Sequence, residues 1–441
     1  MLKESNLRNY QLKAVDYILD KKRCGLAIDM GLGKTIISLT AFSKLLNIKV
    51  KKLLVIAPLN VAKNVWGNEI ENWEHIKHLK YNICCGNEKE RLEALKSPGD
   101  VYIINQENVE WMYDKGFFKY GMVIVDESHK FKNYSSNRFK ALKKFTYNYC
   151  VLLTGTPMPQ SYIDMWSQQY LIDKGELLGK NITTYRQMYF TNNYSGYGYT
   201  CLYPEMISHK LSTNWMYMQG EDYLSLPDRI SNTISVLIDN YETYAYFEKE
   251  YYIKINDEEI TAVNAGVLAN KLLQYCNGAI YNKDGDYVEI HDNKLNMLEE
   301  LINDHPEENI LVAFNFKSDE DRIKQRFPYA ITLTSKNINE IESSWNRGEI
   351  RLLLCQCNSA EGLNLQKGGR IIIWFGLTWR LDSYKQFNAR LHRQGQTRPV
   401  IIYHLVSKYC KDEEVIEVLE QKDATQEDLF KVLKNDKLTK K

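Results

Sequence analysis

The stretch Ile28-Asp-Met-Gly-Leu-Gly-Lys-Thr35 indicates how the first part of this 441-residue chain folds. It follows a short apolar run, Gly25–Ile28, which predicts a buried strand, and it opens a helix-period segment, Lys34–Leu46. A strand, a glycine-rich turn and a helix in this order are the context that a phosphate-binding loop requires. The generic pattern begins with glycine where this chain has Ile28, so the pattern alone leaves a chance match open.

Four residues of this loop carry the predicted chemistry. Gly31 and Gly33 allow backbone N–H groups to close around phosphate oxygens, and the helix N-terminus adds partial positive charge. Lys34 is expected to reach the β- and γ-phosphates of a nucleotide, and Thr35 is expected to bind Mg²⁺ through its hydroxyl. A nucleotide bound together with Mg²⁺ is therefore the predicted ligand of this loop.

Short apolar runs alternate with helix-period segments at both ends of the chain, which predicts parallel βαβ units and an α/β fold class. The predicted strands are Gly25–Ile28, Leu53–Ala57, Val101–Ile104, Met122–Val125, Val151–Leu153, Ile310–Phe314, Leu352–Cys355, Arg370–Phe375 and Val400–Leu405. The predicted domains are a first lobe at 1–160, a mainly helical insertion at 161–290 and a second lobe at 291–441. Within the insertion, the tyrosine-rich residues 191–200 are expected to form an exposed loop or hairpin.

Composition is that of a globular chain, with 44% apolar and 26% charged residues. No apolar run approaches the ~20 residues of a membrane span, and the N-terminus lacks the apolar core of a signal peptide. The nine cysteines include no Cys-x-x-Cys pair, which favours reduced, buried thiols over zinc sites or disulfides. We therefore expect a cytoplasmic protein without a membrane partner.

Charge is nearly balanced over the whole chain, at a net +1, but it is unevenly distributed. Residues 1–52 carry a net +7 and residues 309–400 a net +6, whereas residues 221–260 and 284–308 carry −7 and −8. Separated basic and acidic regions are compatible with a basic groove for nucleic acid, and also with ordinary solvated faces. Charge alone does not decide between these two interpretations.

Two adjacent carboxylates end another apolar strand in the stretch Met122-Val-Ile-Val-Asp-Glu-Ser-His129. In a parallel sheet the carboxyl end of a strand faces the nucleotide site. Asp126 is therefore expected to hold Mg²⁺, and Glu127 to polarise the attacking water. Helix N-capping is the commoner reason for an acidic residue after a strand. The phosphate-binding loop on an earlier strand makes the catalytic interpretation the stronger one.

With these motifs in place, the chain resembles a known family along nearly its whole length. The family is that of the superfamily 2 helicase-type motors, and within it the Swi/Snf-like branch of ATP-dependent DNA translocases, including its small phage or prophage members. The resemblance runs in order through Leu7–Leu12, Ile28–Thr35, Leu54–Trp73, Asp126–Asn133, Leu153–Pro157, Ile310–Phe316, Ser359–Gln366 and Gln386–Gln396. The last string, with its His-Arg-x-Gly-Gln core, is specific to this branch.

The resemblance implies two tandem RecA-like P-loop lobes, and it assigns roles to individual residues. ATP contacts are implied at Gln11, Gly31, Leu32, Gly33, Lys34, Thr35, Gly362 and Gln386, with Gln11 as the reader of the adenine. DNA contacts are implied at Pro58, Asn60, Gln106, Lys132, Ser359 and Ala360, and coupling between the ATP and DNA sites at His129, Thr154 and Thr156. Contacts of this kind hold the DNA backbone without reading its sequence.

Arg390 and Arg393 belong to a predicted helix, Leu381–Arg393, on which residues three apart share one face. Two guanidinium groups in that position are expected to be catalytic, because they could stabilise the γ-phosphate in the transition state from the second lobe. A pair of exposed surface arginines is the alternative interpretation.

Two departures from the family pattern are visible. The usual double arginine after the inserted helices is absent from Ile207–Trp215, and Glu361 stands where relatives often carry glycine. These departures leave the DNA contacts of the two segments open.

The resulting hypothesis is an ATP-dependent motor that moves along double-stranded DNA without sequence preference. It is expected to act as a monomer in the cytosol of a bacterium or a phage-infected host, with replication or recombination proteins as candidate partners. Three alternatives share its motifs: a strand-separating helicase on forked DNA, an RNA motor, and a non-hydrolysing nucleotide-dependent scaffold on DNA.

Overall fold

The computed structural model describes residues 1–192, 198–255, 258–334, 337–357 and 363–438. The contacts between residues divide the chain into two units. Unit 1 comprises Met1–Leu224 with the described residues from 422 onward, and unit 2 comprises Ser225–Gln421. Outside the described residues lie Tyr194, Tyr197, Ser359, Ala360 and Gly362.

Unit 1 is built on a parallel sheet of seven strands, accompanied by an antiparallel hairpin. Its strands are β1 Arg23–Ile28, β2 Leu53–Ala57, β3 Tyr81–Ile83, β4 Val101–Asn105, β5 Met122–Val125, β6 Tyr149–Thr154, β7 Phe190–Asn192, β8 Tyr199–Cys201 and β9 Trp215–Met218. The order across the sheet is β3-β4-β2-β5-β6-β1-β9, and β7 pairs with β8 in the hairpin. Strands β2, β4, β5 and β6 are buried along their whole length, which is typical of a parallel sheet covered on both faces.

The helices of unit 1 connect these strands. The α-helices are α1 Asn9–Lys21, α2 Lys34–Leu45, α3 Leu59–Asn64, α4 Trp66–Asn72, α5 Glu88–Lys96, α6 Val109–Asp114, α7 Asn137–Leu142, α8 Met165–Asp173, α9 Ile182–Tyr189 and α10 Pro204–Ser212. Short 3₁₀ helices lie at Glu4–Asn6, Glu74–Ile76, Gln106–Asn108, Ser128–Phe131, Tyr162–Asp164 and Gly220–Asp222. Several of these short helices follow the carboxyl ends of strands, where the site candidates are found.

Unit 2 contains a second parallel sheet, of six strands, and two small hairpins. Its strands are β10 Arg229–Val236, β11 Tyr252–Ile255, β12 Glu258–Thr261, β13 Ala279–Tyr281, β14 Tyr287–Glu289, β15 Ile310–Phe314, β16 Ile331–Thr332, β17 Leu352–Gln356, β18 Ile371–Trp374 and β19 Val400–Ser407. The sheet order is β10-β19-β18-β15-β17-β16. The predicted α/β class with a parallel sheet in each lobe is confirmed.

The helices of unit 2 again alternate with the strands of the sheet. They are α11 Tyr241–Glu250, α12 Ala265–Cys276, α13 Asn293–Asp304, α14 Lys317–Arg326, α15 Ile338–Asn346, α16 Leu381–Asn388 and α17 Lys411–Leu438. Helix α17 begins in unit 2, and its residues from 422 onward belong to unit 1.

The stretch predicted as a separate insertion, 161–290, is divided between the two units. It supplies β9 to the first sheet and β10 to the second, and these strands pair with β1 and β19. Trp215 on β9 is fully buried, and a Cβ atom on Gly25 of β1 would lie only 2.3 Å from its ring. The boundaries of the compact units therefore differ from the predicted boundaries at 160 and 290, because the stretch provides strands to both sheets.

The two ends of the tyrosine-rich stretch 191–200 lie in β7 and β8, which pair antiparallel. This pairing agrees with a hairpin, one of the two forms predicted for the stretch. Tyr199 on β8 is exposed, and the Arg186 guanidinium lies 4.6 Å from the centre of its ring. All nine cysteines lie within the described residues, none of them forms a disulfide bond, and eight of them are buried. Among the described residues, no helix combines the length and the apolar character of a membrane span.

Candidate active site

The loop between β1 and α2 has a backbone suited to phosphate. Gly31 and Gly33 have φ angles of 85° and 84°, a left-handed conformation that residues with a Cβ atom rarely adopt. Gly33 also caps α2, whose first N–H groups have no partner within the helix. Lys34 Nζ donates a hydrogen bond to Ile28 O at 3.0 Å, which holds the ammonium group at the loop. Free N–H groups and a cation at a helix N-terminus form an arrangement that binds anions.

Gln11 contacts this loop from α1. Its Nε2 donates to Leu32 O at 3.2 Å, and its Oε1 accepts the Arg8 N–H at 2.9 Å. A Cβ atom on Gly33 would lie 2.4 Å from Gln11 Nε2, so glycine alone leaves room for this approach. The structure therefore brings Gln11 and the loop together, while its role as the reader of adenine stays a prediction.

The acidic pair follows β5, and the protein shields most of both side chains from solvent. Asp126 is 7% exposed; its Oδ2 accepts the indole N–H of Trp66 at 3.1 Å, and its Oδ1 accepts the Glu127 N–H at 3.0 Å. Glu127 has a φ angle of 48°, and positive φ in a residue with a side chain is concentrated at functional sites. Glu127 Oε2 is buried, accepts no hydrogen bond among the described residues, and lies 3.4 Å from His129 Nδ1. The His129 ring is therefore the neighbouring group of this oxygen.

The electrostatics of Asp126 connect the acidic pair with the phosphate-binding loop. Burial raises the pKa of Asp126, and the nearby charge of Glu127 raises it further. The positive charge of Lys34 acts in the opposite direction, because it favours the ionised carboxylate. Strands β5 and β1 are separated in the sheet only by β6, so their carboxyl ends place Asp126 and Lys34 within electrostatic reach of each other.

The residues at this edge of the sheet fit Mg²⁺. A carboxylate offers about four acceptor positions, and the described contacts occupy two of those of Asp126. Within the described part of the chain, no three His, Cys, Asp or Glu side chains cluster as an all-protein metal cage. Mg²⁺ keeps several waters and takes one or two carboxylates together with substrate phosphates. Asp126 and the half-buried Thr35 are the side chains that would hold it.

The predicted coupling residues are brought together behind the acidic pair. His129 Nδ1 lies 3.1 Å from Thr154 Oγ1, and the Thr156 N–H donates to the same Thr154 oxygen at 3.0 Å. All three residues are buried. His129 also lies beside Glu127, with its Nδ1 3.4 Å from Glu127 Oε2, so the predicted coupling residues adjoin the acidic pair.

Two buried residues of this region carry no predicted role in the sequence. Gln168 on α8 accepts from Ser128 Oγ at 2.8 Å, and its Nε2 donates to Pro157 O at 2.6 Å. It therefore joins the acidic motif to the coupling motif. Trp66 donates to Asp126, as described above. Sequence reasoning overlooked Gln168, and it included Trp66 in the motif Leu54–Trp73 without a role, because a polar atom inside a helix gives no local signal of its tertiary partner.

In unit 2 the arginine pair converges, but not in the predicted way. Helix α16 ends at Asn388 and turns follow it, so Arg390 and Arg393 do not share the face of a helix. Both side chains nevertheless donate to Leu363 O, from their Nη1 atoms at 3.1 and 3.3 Å. The prediction of one helix up to Arg393 is wrong: beyond Asn388 the chain turns, and the buried Arg390 side chain donates a hydrogen bond to the backbone carbonyl of Leu363, 27 residues earlier in the chain.

The other candidates of unit 2 are placed near this pair in the chain. Gln386 is buried on α16. Burial lowers the pKa of the Arg393 guanidinium, and the Glu342 carboxylate opposes this effect. The implied contacts Gly362, Ser359 and Ala360 lie outside the described residues.

The implied DNA contacts of unit 1 differ in accessibility. Pro58 is buried as the cap of α3, and Asn60 is half-buried in the first turn of that helix. Lys132 Nζ lies 3.5 Å from Asp164 Oδ2, with its side chain 28% exposed. Gln106 requires a correction: it is fully buried, and its Nε2 donates to Asp126 O at 2.6 Å. In this structure its side chain offers no surface to a DNA phosphate.

Comparison with protein families adds to this geometry. The SNF2-related domain matches residues 10–277, which is more than half of the chain. The helicase conserved C-terminal domain matches residues 293–395. The first match contains the phosphate-binding loop and the acidic pair, and the second contains both arginines.

Similar proteins span very different lengths. Protein p41 of Acyrthosiphon pisum secondary endosymbiont phage 1 is 32% identical over 97% of this chain and 98% of its own length. A Mycoplasma genitalium protein, named as an uncharacterized ATP-dependent helicase, is 26% identical over 95% of this chain, which spans only 42% of it. A solved structure titled "Sulfolobus solfataricus SWI2/SNF2 ATPase core in complex with dsDNA" aligns over 97% of both chains at 21% identity, with a TM-score of 0.47.

The family match and the relative that the chain covers almost completely agree with the motifs placed above. The chain therefore belongs to the SNF2-related family of helicase-type ATPases.

Proposed function

We propose that this protein hydrolyses Mg²⁺-ATP and uses the reaction to translocate along double-stranded DNA without separating its strands. The observation that carries the proposal is the placement of the phosphate-binding loop and the acidic pair at the carboxyl ends of β1 and β5, within electrostatic reach of each other. Membership in the SNF2-related family supports the use of ATP. The branch-specific string at Gln386–Gln396 supports movement on duplex DNA.

The candidate site residues of unit 1 have distinct tasks in the proposed hydrolysis. The N–H groups at Gly31 and Gly33 and the Lys34 ammonium bind the phosphates, and Glu127 orients and polarises the attacking water. Mg²⁺, held by Thr35 and Asp126, would neutralise charge on the β- and γ-phosphates.

Unit 2 supplies positive charge in this proposal. Arg390 and Arg393 are tethered side by side at Leu363 O, so both guanidinium groups are oriented before ATP arrives. Such preorganised donors stabilise the charge that develops on a transferred phosphoryl group. The alternative of two exposed surface arginines does not suit Arg390, which is only 6% exposed.

The proposed DNA contacts involve the backbone only. Asn60 and the half-buried Lys132 are the accessible candidates in unit 1. Nine of the eleven Lys and Arg residues in 1–52 have exposed side chains, so this segment presents much of its net +7 charge to solvent. An exposed positive charge of this size favours DNA binding that depends on the phosphates.

Salt dependence tests this part of the proposal. Each phosphate contact on duplex DNA contributes about −0.9 to the slope of log K against log salt concentration. We expect a slope more negative than about −3, which corresponds to more than three contacts, and the same affinity for two duplexes of unrelated sequence. Fluorescence anisotropy over a salt series measures both quantities. A slope near zero, or a strong preference for one sequence, contradicts a backbone-tracking groove.

Movement on DNA is tested by two displacement assays with the full chain. We expect ATP-dependent release of the third strand from a DNA triplex, because a translocating protein pushes that strand ahead of it. A labelled strand of a forked duplex should stay bound under the same conditions. A Glu110→Gln variant, altered at an exposed residue of α6, should match the parent in both assays and serves as the control. Absence of triplex displacement during ATP hydrolysis contradicts translocation.

A strand-separating helicase is the second candidate, and the hairpin of β7 and β8 is the observation that favours it. Its exposed Tyr199 stacks on Arg186, and an aromatic ring can stack on a base at a fork. Release of the forked strand that disappears when Tyr194, Tyr197 and Tyr199 are changed to alanine supports this candidate. The Tyr246→Ala variant, altered at an exposed tyrosine of α11, is the matched control.

The cellular setting belongs to the proposal as well. The similarity to a phage protein along almost its full length favours action in the cytosol of a bacterium or a phage-infected host. Replication or recombination proteins are the partners that we propose for a motor on duplex DNA, and we propose that it acts as a monomer.

A further inference from the structure

Asp126 is fixed by hydrogen bonds from three separate parts of unit 1. The Gln106 amide, after β4, donates to its main-chain oxygen at 2.6 Å, and the Glu127 N–H donates to its Oδ1 at 3.0 Å. Trp66, the first residue of α4, donates its indole N–H to Oδ2 at 3.1 Å. Among the described residues, Trp66 is the only one shown to bond this carboxylate through a side chain.

The surroundings of Trp66 leave its ring little freedom to move. Trp66 has no exposed surface, and helices α3 and α4 meet at Val65, immediately before it. An indole N–H can donate a hydrogen bond but cannot accept one, so this contact always favours an acceptor at Asp126 Oδ2. Because the ring is held by packing, the bond also fixes the angle of the carboxylate.

We propose that Trp66 is a positioning residue that orients the Asp126 carboxylate for Mg²⁺. The inference rests on the proposed ATPase function, in which Asp126 is a ligand of the metal. Groups that hydrogen-bond a metal ligand fix its orientation, and their loss typically lowers metal affinity or activity by about 10–100-fold. Trp66 would act only through Asp126, without contact to nucleotide or metal.

A purely structural role for Trp66 is the competing interpretation, since a buried indole needs a hydrogen-bond partner in any case. Trp215 provides a matched control in the same unit. Trp215 lies on β9 and is equally buried. Its Nε1 donates to Gln169 Oε1 at 2.9 Å and not to Asp126. Replacement of either tryptophan therefore removes a buried indole ring and one hydrogen bond. Only at position 66 is the lost partner Asp126.

The test measures equilibrium binding of a fluorescent ATP analogue to the full chain, with and without Mg²⁺. All variants carry Glu127→Gln, so that hydrolysis does not consume the ligand. For Trp66→Phe we expect Mg²⁺-free affinity within about twofold of the parent, while the gain in affinity on adding Mg²⁺ falls by about tenfold or more. For Trp215→Phe we expect both affinities to equal those of the parent.

A second variant separates the N–H from the shape of the ring. Benzothienylalanine at position 66, introduced by nonsense suppression, replaces the indole N–H with sulfur and keeps the two-ring shape. It should show the same loss of Mg²⁺-dependent affinity even if Trp66→Phe fails to fold, and thermal unfolding monitors folding of each variant. An undiminished Mg²⁺ effect in this variant overturns the inference, and so does an equal loss of affinity with and without Mg²⁺.

Failure of the inference can be distinguished from failure of the proposed function. If the parent binds the analogue with a clear Mg²⁺ effect and the variants at position 66 retain it, only the role of Trp66 is wrong. If the parent binds the analogue no better with Mg²⁺ than without, the assignment of Asp126 as a metal ligand falls, and the inference falls with it.

Discussion

Replacement of Arg393 by alanine is expected to lower ATP hydrolysis by roughly 10³-fold or more while ATP and DNA binding change little. Arginine fingers contribute about 10³–10⁵-fold to the rate because they meet charge that develops only in the transition state. The change should be tolerated by the fold, since Leu363 O keeps its hydrogen bond from Arg390 Nη1. Single-turnover hydrolysis and equilibrium ATP binding measure the two effects separately.

Arg398 provides the control for this experiment. It lies five residues further along in the same unit, is 54% exposed, and donates to Glu308 Oε1 at 2.9 Å. Glu308 also accepts a hydrogen bond from Arg370, so Arg398→Ala leaves no carboxylate without a partner. We expect this variant to keep the parental rate. Loss of ATP affinity by Arg393→Ala in proportion to its loss of rate shows instead that Arg393 binds the ground state.

Replacement of Glu127 by glutamine is expected to abolish most turnover and to preserve Mg²⁺-ATP binding. The amide keeps the size of the carboxylate but cannot polarise water, and a general base typically contributes about 10²–10⁴-fold. Since Glu127 Oε2 accepts no hydrogen bond among the described residues, the substitution removes no acceptor from the fold. Steady-state phosphate release and nucleotide binding are the measurements.

Two further variants show whether the effect of Glu127→Gln is specific to its position and distinct from a loss of nucleotide binding. Glu110→Gln removes one negative charge from an exposed position of the same unit and should be neutral. Lys34→Ala should weaken nucleotide binding itself, because the ammonium lies at the phosphate-binding loop. Turnover of Glu127→Gln within about threefold of the parent is far above the range for loss of a general base and removes Glu127 from this role.

The strands that sequence patterns predicted are buried over most of their length. Runs such as Leu53–Ala57 and Ile310–Phe314 are continuous in apolar residues, and the structure gives strands with the same bounds. Strand β10 was overlooked because most of its side chains are exposed and its partner, β19, lies far away in the sequence. Strand β9 lies among helices, and only its pairing with β1 makes it part of a sheet.

The parts of the candidate site that could be predicted are likewise those that are continuous in sequence. The loop at Gly31–Thr35 and the pair Asp126–Glu127 could be predicted because each motif is continuous in the chain and follows a buried strand. The end of α16 at Asn388 could not be predicted, since Phe387 and Leu391 are both fully buried and continue the helical spacing beyond it. Contacts between side chains distant in sequence, such as Trp66 with Asp126, have no local pattern at all.

Phosphate release from ATP by the full chain, compared across added nucleic acids, tests most directly that this protein is a motor driven by duplex DNA. The four conditions are no polymer, duplex DNA, single-stranded DNA and duplex RNA, with Lys34→Ala as the inactive reference. We expect hydrolysis above that reference, stimulated most strongly by duplex DNA. Hydrolysis no greater than that of Lys34→Ala with every polymer, or stimulation by RNA alone, contradicts a motor on duplex DNA.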